Sequence, residues 1–229
     1  MTPSRRAIGV MAASLTLAAL PAAAIAVPTT QVGARNAMLV PGDARAAGLP
    51  ASLVEIFEPV FNEKIWVCDA KGPSDVHATA PPVTYVADTL QVAKGLETDL
   101  SHDISVFRSA ADASAVFATV VSKARTCKGT VVSTEDGPRK QKTIRRSNGT
   151  APFAFGGQQA VWTSQLTPGP GGVKALNDAQ YQVLLLNGAV IQAVEFEQIG
   201  ASATKVSSAN RARVNQLAQT LAQRWTVAP

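Results

Sequence analysis

The chain has 229 residues, 46% of them hydrophobic and 16% charged, with a formal net charge of +5. Its first 26 residues hold Arg5 and Arg6 and no acids, so a processed chain would carry +5 − 2 = +3. So mild an excess, without dense Lys/Arg clusters, excludes a nucleic-acid-binding domain, while the length suits one domain with a sizeable core.

Residues 1–26 have the anatomy of a secretory signal peptide. Arg5 and Arg6 form a positive n-region, Ala7 to Ala26 is apolar or small, and Ala24-Ile25-Ala26 is a processing pattern behind Pro21. The alternative is an uncleaved anchor, since about 20 apolar residues just span a bilayer. The Arg5-Arg6 pair fits twin-arginine export only loosely. No cysteine stands at the processing site, which argues against a lipid anchor. Cleavage would leave a chain starting at Val27 with no membrane span. Residues 27–37 read as a polar linker, and residues 38–229 as the folded domain.

Pro41 to Gly48 reads as a helical turn and Leu53 to Phe61 as a short apolar helix interrupted at Pro59. Two Pro/Gly-rich loops follow, around Gly72 to Pro82 and Thr167 to Gly172. "YVADTLQVA", "HDISVFRS", "GTVVST", "QKTIRRS" and "QAVWTSQL" read as strands from alternation or β-branched content. "SAADASAVFATVVSKARTC" reads as a helix. Ser109 caps it, Asp112 closes a capping box, and Ala113, Val116, Phe117, Val120, Val121 and Ala124 form its stripe. "QYQVLLLNGAVIQAVEFEQ" is a hairpin turning at Asn187-Gly188. In a last helix, "SSANRARVNQLAQTLAQRW", Val214, Leu217, Ala218, Leu221, Ala222 and Trp225 share a face. Helices segregated from runs of strands predict an α+β single domain, an antiparallel sheet with helices packed on one face.

The basic stretch Arg139, Lys140, Lys142, Arg145 and Arg146 reads as a solvated hairpin, with turns at Asp136-Gly137 and Asn148-Gly149. Its other reading is a patch for anionic envelope polymer or lipid head groups. Asn148-Gly149-Thr150 matches a glycosylation sequon, which is discounted here.

The two cysteines are Cys68 and Cys127. Export favours a structural disulfide, whose loop of about 60 residues would stabilise by roughly 4 kcal/mol on a loop-entropy model. Metal ligation and a catalytic thiol are the weaker alternatives, because with His77 and His102 the pair matches no ligand spacing. No cofactor motif and no metal motif is present. A secreted hydrolase would need His77 or His102 as its base. Both read as solvated: His77 lies in a Pro-rich loop beside Asp75, and His102 precedes Asp103, whose side chain in a strand points to the other face. The chain has no G-x-S-x-G, no H-E-x-x-H and no phosphate loop. Glu195 and Glu197 share a strand face, a carboxylate pair that also suits a solvated surface. No catalytic residue is therefore assigned.

"ISVFRSAADASAVFATVVSKARTCKGT" resembles the extracellular sensor domain of mycobacterial serine/threonine kinases of the PknH type. The positions that carry the likeness are Phe107, Ser109, Ala113, Phe117, Cys127 and Gly129, with "ARNAMLVPGDARAAGLP" matching the opening segment. The resemblance covers most of Ala34 to Trp225. It implies an α+β domain with a groove on the sheet that binds an extracellular ligand. The chain departs from the kinases in three ways. It has no kinase domain or second hydrophobic span, no lipobox cysteine, and one cysteine pair where they have two. The resulting expectation is a non-catalytic, exported or envelope module that binds a small molecule, lipid or cell-wall fragment. Trp66 and Trp162 are candidate lining residues, and Trp225 is a core residue. A secreted hydrolase and an envelope protein-interaction module are the alternatives.

Overall fold

The computed structural model describes residues 37–49, 52–57, 84–91, 97–133, 142–150, 159–168, 177–200 and 205–224, with residues 34, 65, 67 and 203. Among these lie three helices: α1 (Pro41–Ala46), α2 (Ala110–Thr126) and α3 (Ser208–Arg224). Eight strands form one sheet: β1 (Ser52–Phe57), β2 (Thr84–Gln91), β3 (Glu97–Val106), β4 (Gly129–Ser133), β5 (Lys142–Thr150), β6 (Gln159–Thr167), β7 (Asn177–Asn187) and β8 (Val190–Gly200). The α+β architecture read from the sequence is present.

The sheet order is β1-β2-β3-β8-β7-β6-β5-β4, and every pairing is antiparallel. Two meanders, β1–β3 and β4–β8, are joined edge to edge by β3 and β8. Helix α2 carries the chain from β3, at the centre, to β4 at the far edge.

The helices do not share one face, contrary to expectation. Side chains alternate across a strand, so Val183 and Leu185 point away from Leu184 and Leu186. Val183, Leu185, Val194 and Phe196 pack with Val214, Leu217, Ala218 and Leu221 of α3. Leu184, Leu186, Ile191 and Ala193 pack with Val116, Phe117 and Val120 of α2. The sheet therefore lies between two helices, with a core on each face. The physical cause is in β7 and β8, whose continuous apolar runs cannot be buried from one side alone.

The helix predictions for the longer elements stand. Ser109 caps α2 by accepting the Asp112 N–H at 3.1 Å, and its hydroxyl donates to the Asp112 carboxylate at 2.9 Å. Ala113, Val116, Phe117, Val120 and Ala124 are buried in α2, as are Val214, Leu217, Ala218, Leu221 and Ala222 in α3. Trp225 lies outside the described residues.

Two local readings change. The segment read as a helix from Leu53 is instead strand β1, paired with β2 through an irregularity between Leu53 and Glu55. Six residues rich in Val, Ile and Phe are too short for the helical and extended readings to be separated by pattern, and pairing to β2 decides. The Asn148-Gly149 turn is also absent, because β5 runs straight through it. Gly149 instead lets the Trp162 indole lie against the backbone: a Cβ there would meet the indole Nε1 at 2.6 Å. Asn148 donates from Nδ2 to the carbonyls of Arg125 (3.3 Å) and Cys127 (2.9 Å), closing the C-terminus of α2. The β7–β8 turn forms one residue late. Asn187 pairs with Val190, and Gly188 takes a φ of 55° at the first loop position, where a primed two-residue turn favours glycine.

Residues 1–26 lie outside the described residues. Within the stretch read as a linker, Ala34 and Ala37 are buried with Met38 against Ile104, Val106 and Val190. Cys127 is the buried C-cap of α2 and is disulfide-bonded rather than free. Cys68 lies outside the described residues. No described helix is long and apolar enough to cross a membrane.

Candidate functional site

The face of the sheet under α2 changes character along its strands. Near the β7–β8 turn it is apolar and meets the α2 stripe at Leu184, Leu186, Ile191 and Ala193. Further from the turn it becomes polar. The register aligns Ser101, Glu195, Gln182 and Thr163 in one row across β3, β8, β7 and β6. Asp99, Glu197, Gln180 and Gln165 form the next row. Gln182 and Thr163 are buried, while Ser101, Asp99, Glu195, Glu197 and Gln180 are half-buried.

Amides tie β7 to β8 within each row. Gln182 Nε2 donates to Glu195 Oε2 at 3.1 Å. Gln180 Nε2 lies within donating distance of Glu197 Oε1 (3.1 Å) and Asp178 Oδ2 (3.0 Å). Burial pushes the Glu195 carboxyl up to about 8, and the negative charges of Glu197, Asp103 and Asp178 push it in the same direction. Glu195 is therefore mostly protonated at neutral pH. A neutral carboxylic acid can donate as well as accept, and it stands beside carboxylates that only accept. Such a surface suits hydroxyl and ammonium groups and repels phosphate.

Glu195 and Glu197 thus share a face, as their spacing predicts. Sequence reading missed Gln180, Gln182, Thr163 and Asp178. The signal was the alternation in "NDAQYQ" before the apolar run of β7. No group of three or more His, Cys, Asp or Glu side chains suited to a metal ion occurs among the described residues.

Trp162 lies on the opposite face. It is half-buried, tilted at 35° to the Tyr181 ring with centroids 5.7 Å apart, and packed on the α3 core. Tyr181 donates its hydroxyl to Asn215 Oδ1 at 2.9 Å, and burial raises its pKa. Trp162 thus points away from the polar rows, although its neighbour Thr163 belongs to one of them. Trp66 and His77 lie outside the described residues, as do Arg139 and Lys140.

His102 is not solvated. It is fully buried in β3, its Nδ1 accepting the Leu39 N–H at 3.1 Å and its Nε2 lying 3.0 Å from Gln192 Oε1. The expectation failed because β3 is an interior strand of the sheet, so its alternate positions face a core. Asp103 does occupy the opposite face, as expected.

The model superimposes on the crystal structure of the extracellular domain of PknH from Mycobacterium tuberculosis with a TM-score of 0.54. The match covers 86% of this chain and 98% of that one, at 12% sequence identity. The chain has the fold of the PknH extracellular domain. No protein-family model and no curated protein matches the sequence.

Proposed function

We propose that the chain is an exported, non-catalytic binding module that senses a polar ligand outside the cytoplasm or within the cell envelope. The observation that carries the reading is the fold shared with nearly all of an extracellular domain. The signal-like residues 1–26 and the disulfide state of Cys127 agree with an oxidising compartment. With two cysteines in the chain, the partner of Cys127 is Cys68 on this reading.

The polar rows around Glu195 are the proposed contact surface. Their protonated acid, amides and carboxylates favour a hydroxyl-rich or amine-bearing envelope fragment over an anionic lipid. The test is native mass spectrometry of the protein purified from the exported fraction of its host. A retained polar molecule, lost in Glu195→Gln together with Glu197→Gln, is expected. An anionic lipid retained equally by both forms would refute the assignment of this surface, and turnover of an envelope fragment by the protein would refute the non-catalytic reading.

A further inference from the structure

The charges of the sheet are sorted by face. In β3, β7 and β8, Asp99, Asp103, Asp178, Glu195 and Glu197 all alternate onto the α2 face. The sequences of β4, β5, β6 and α3 contain no Asp or Glu. Alternation also divides the basic stretch of β5, with Arg145 on the α3 face and Arg146 on the other. The α3 face of this part of the molecule therefore carries cations, Arg145 and Arg211 among them, and no acid from these four elements.

Helix α3 packs on β7 and β8, and beyond its edge Thr130, Val132, Arg145 and Ser147 are exposed on the same face. The register orders this open strip. Gly149 and Trp162 form one row, Ser147, Ser164 and Tyr181 the next, and Arg145 and Leu166 a third. From Gly149 to Arg145 the strip runs about 13 Å, at ~3.3 Å per residue. Tyr181 joins it to α3. Its ring meets the half-buried Trp162 with centroids 5.7 Å apart, and its hydroxyl donates to Asn215 Oδ1 at 2.9 Å. Arg211 stands one turn before Asn215. Burial raises the Tyr181 pKa, and the Asn215 bond and the nearby charge of Arg211 oppose that rise. The Nε of Arg211 is buried and meets no hydrogen-bond acceptor among the described residues. A buried charged donor without an acceptor is costly, so this position calls for an acceptor from outside the chain.

We propose that this strip is a second binding site, separate from the polar rows, for an acidic oligosaccharide. Its rings lie along β5 and β6 against Trp162, and its carboxylates meet Arg211 and Arg145. A guanidinium fork matches carboxylate and phosphate alike. The carboxylate is the better partner for half-buried Arg211, because a phosphate dianion brings more charge to desolvate. The electron-rich face of an indole takes the C–H face of a pyranose ring. The hydroxyls of Ser147 and Ser164, in the row beside Trp162, suit sugar hydroxyls and not an acyl chain. Ser164 donates its proton to the Gln180 carbonyl at 2.9 Å, which leaves its oxygen to accept. The two faces of the sheet thereby select ligand groups of opposite charge.

Titration of the full chain with trigalacturonate, followed by NMR, tests this. In the wild type the Trp162 indole N–H and the Asn215 side-chain amide are expected to shift together, a readout that depends on no variant. Neutral maltotriose should bind about tenfold more weakly or worse, for want of a charged hydrogen bond. Arg211→Gln should weaken trigalacturonate by about tenfold as well, with its Tm unchanged, because Arg211 Nε bonds no acceptor of the fold. Arg213→Gln, beside Gly48 on the other flank of α3, should bind as the wild type does. Equal binding of maltotriose, equal binding by Arg211→Gln, or shifts confined to the rows around Glu195 overturns the proposal. Tighter binding of inorganic phosphate or of phosphatidylglycerol vesicles than of trigalacturonate also overturns it, in favour of a phosphate site or a membrane surface.

Discussion

Glu195 makes stability depend on pH in a direction opposite to that of an ordinary surface carboxylate. In the unfolded chain it titrates near 4.5, and in the fold at about 8. Between those values the folded protein holds one more proton than the unfolded chain. The stabilisation is complete below about pH 4.5, declines as pH rises through the window, and is gone above about 8. The interval from 4.5 to about 8, at ~1.36 kcal/mol per pH unit, sets a ceiling of about 5 kcal/mol. Partial solvent access screens the carboxylate, which brings the expected effect to about 2 kcal/mol. Rather more than half of that window lies between pH 6 and about 8, so about 1 kcal/mol, a fall in Tm of roughly 2–4 °C, is expected between pH 6 and pH 9. Glu195→Gln keeps the shape of the protonated acid and an oxygen that accepts from Gln182. Its Tm should stay flat over the same range and exceed that of the wild type at pH 9. Differential scanning calorimetry of both proteins decides the matter. A variant that tracks the wild type at every pH would refute the electrostatic account of these rows.

Other consequences follow from packing. Gly149→Ala places a methyl 2.6–2.8 Å from the Trp162 indole and should cost about 1–3 kcal/mol, while the same change with Trp162→Ala should show strong coupling in a double-mutant cycle. Asn148→Ala removes the donor that closes α2 and should cost about 1 kcal/mol by urea unfolding, similar to Ser109→Ala at the other end of the helix. Phe117→Ala should cost about 3–5 kcal/mol and Leu221→Ala about 2–5 kcal/mol, with additive effects because the two side chains lie in cores on opposite faces. Non-reducing peptide mapping should find Cys68 linked to Cys127 and no free thiol.

The elements that sequence reading recovered are those whose signal is local. Ser109 and Asp112 mark the start of α2 through a cap that needs only neighbouring residues, and the spacing of Val116, Phe117 and Val120 gives its stripe. The errors arise where a distant partner decides. A Leu53 helix and a Leu53 strand are equally compatible with the local pattern, and β2 selects the strand. Asn148-Gly149 has turn chemistry, yet Trp162, 13 positions along from Gly149, uses the missing side chain of that glycine. His102 has a polar neighbour on each side in "SHDI", and only the arrival of Leu39 and Gln192 makes a buried site for it.

The misplaced helix layer and the overlooked polar rows have one origin. In β7 the sequence alternates through "NDAQYQ" and then runs apolar through "VLLL"; in β8 it runs mostly apolar through "VIQAV" and then alternates through "EFEQ". Antiparallel pairing lays the two apolar runs side by side next to the turn and the two alternating stretches side by side at the far end. A continuous apolar run requires cover on both faces, and a strict alternation requires it on one. The change of pattern therefore marks how far α2 extends over its face. Beyond that limit, the α3 face keeps Phe196, Tyr181 and Ala179 in the core, while the other face presents Glu195, Glu197, Gln182 and Gln180. A chain that needed only stability could have continued the apolar run to the end of both strands. This one places an acid of raised pKa and its amide partners there instead, at a cost in pH tolerance that the calorimetry of Glu195→Gln measures directly.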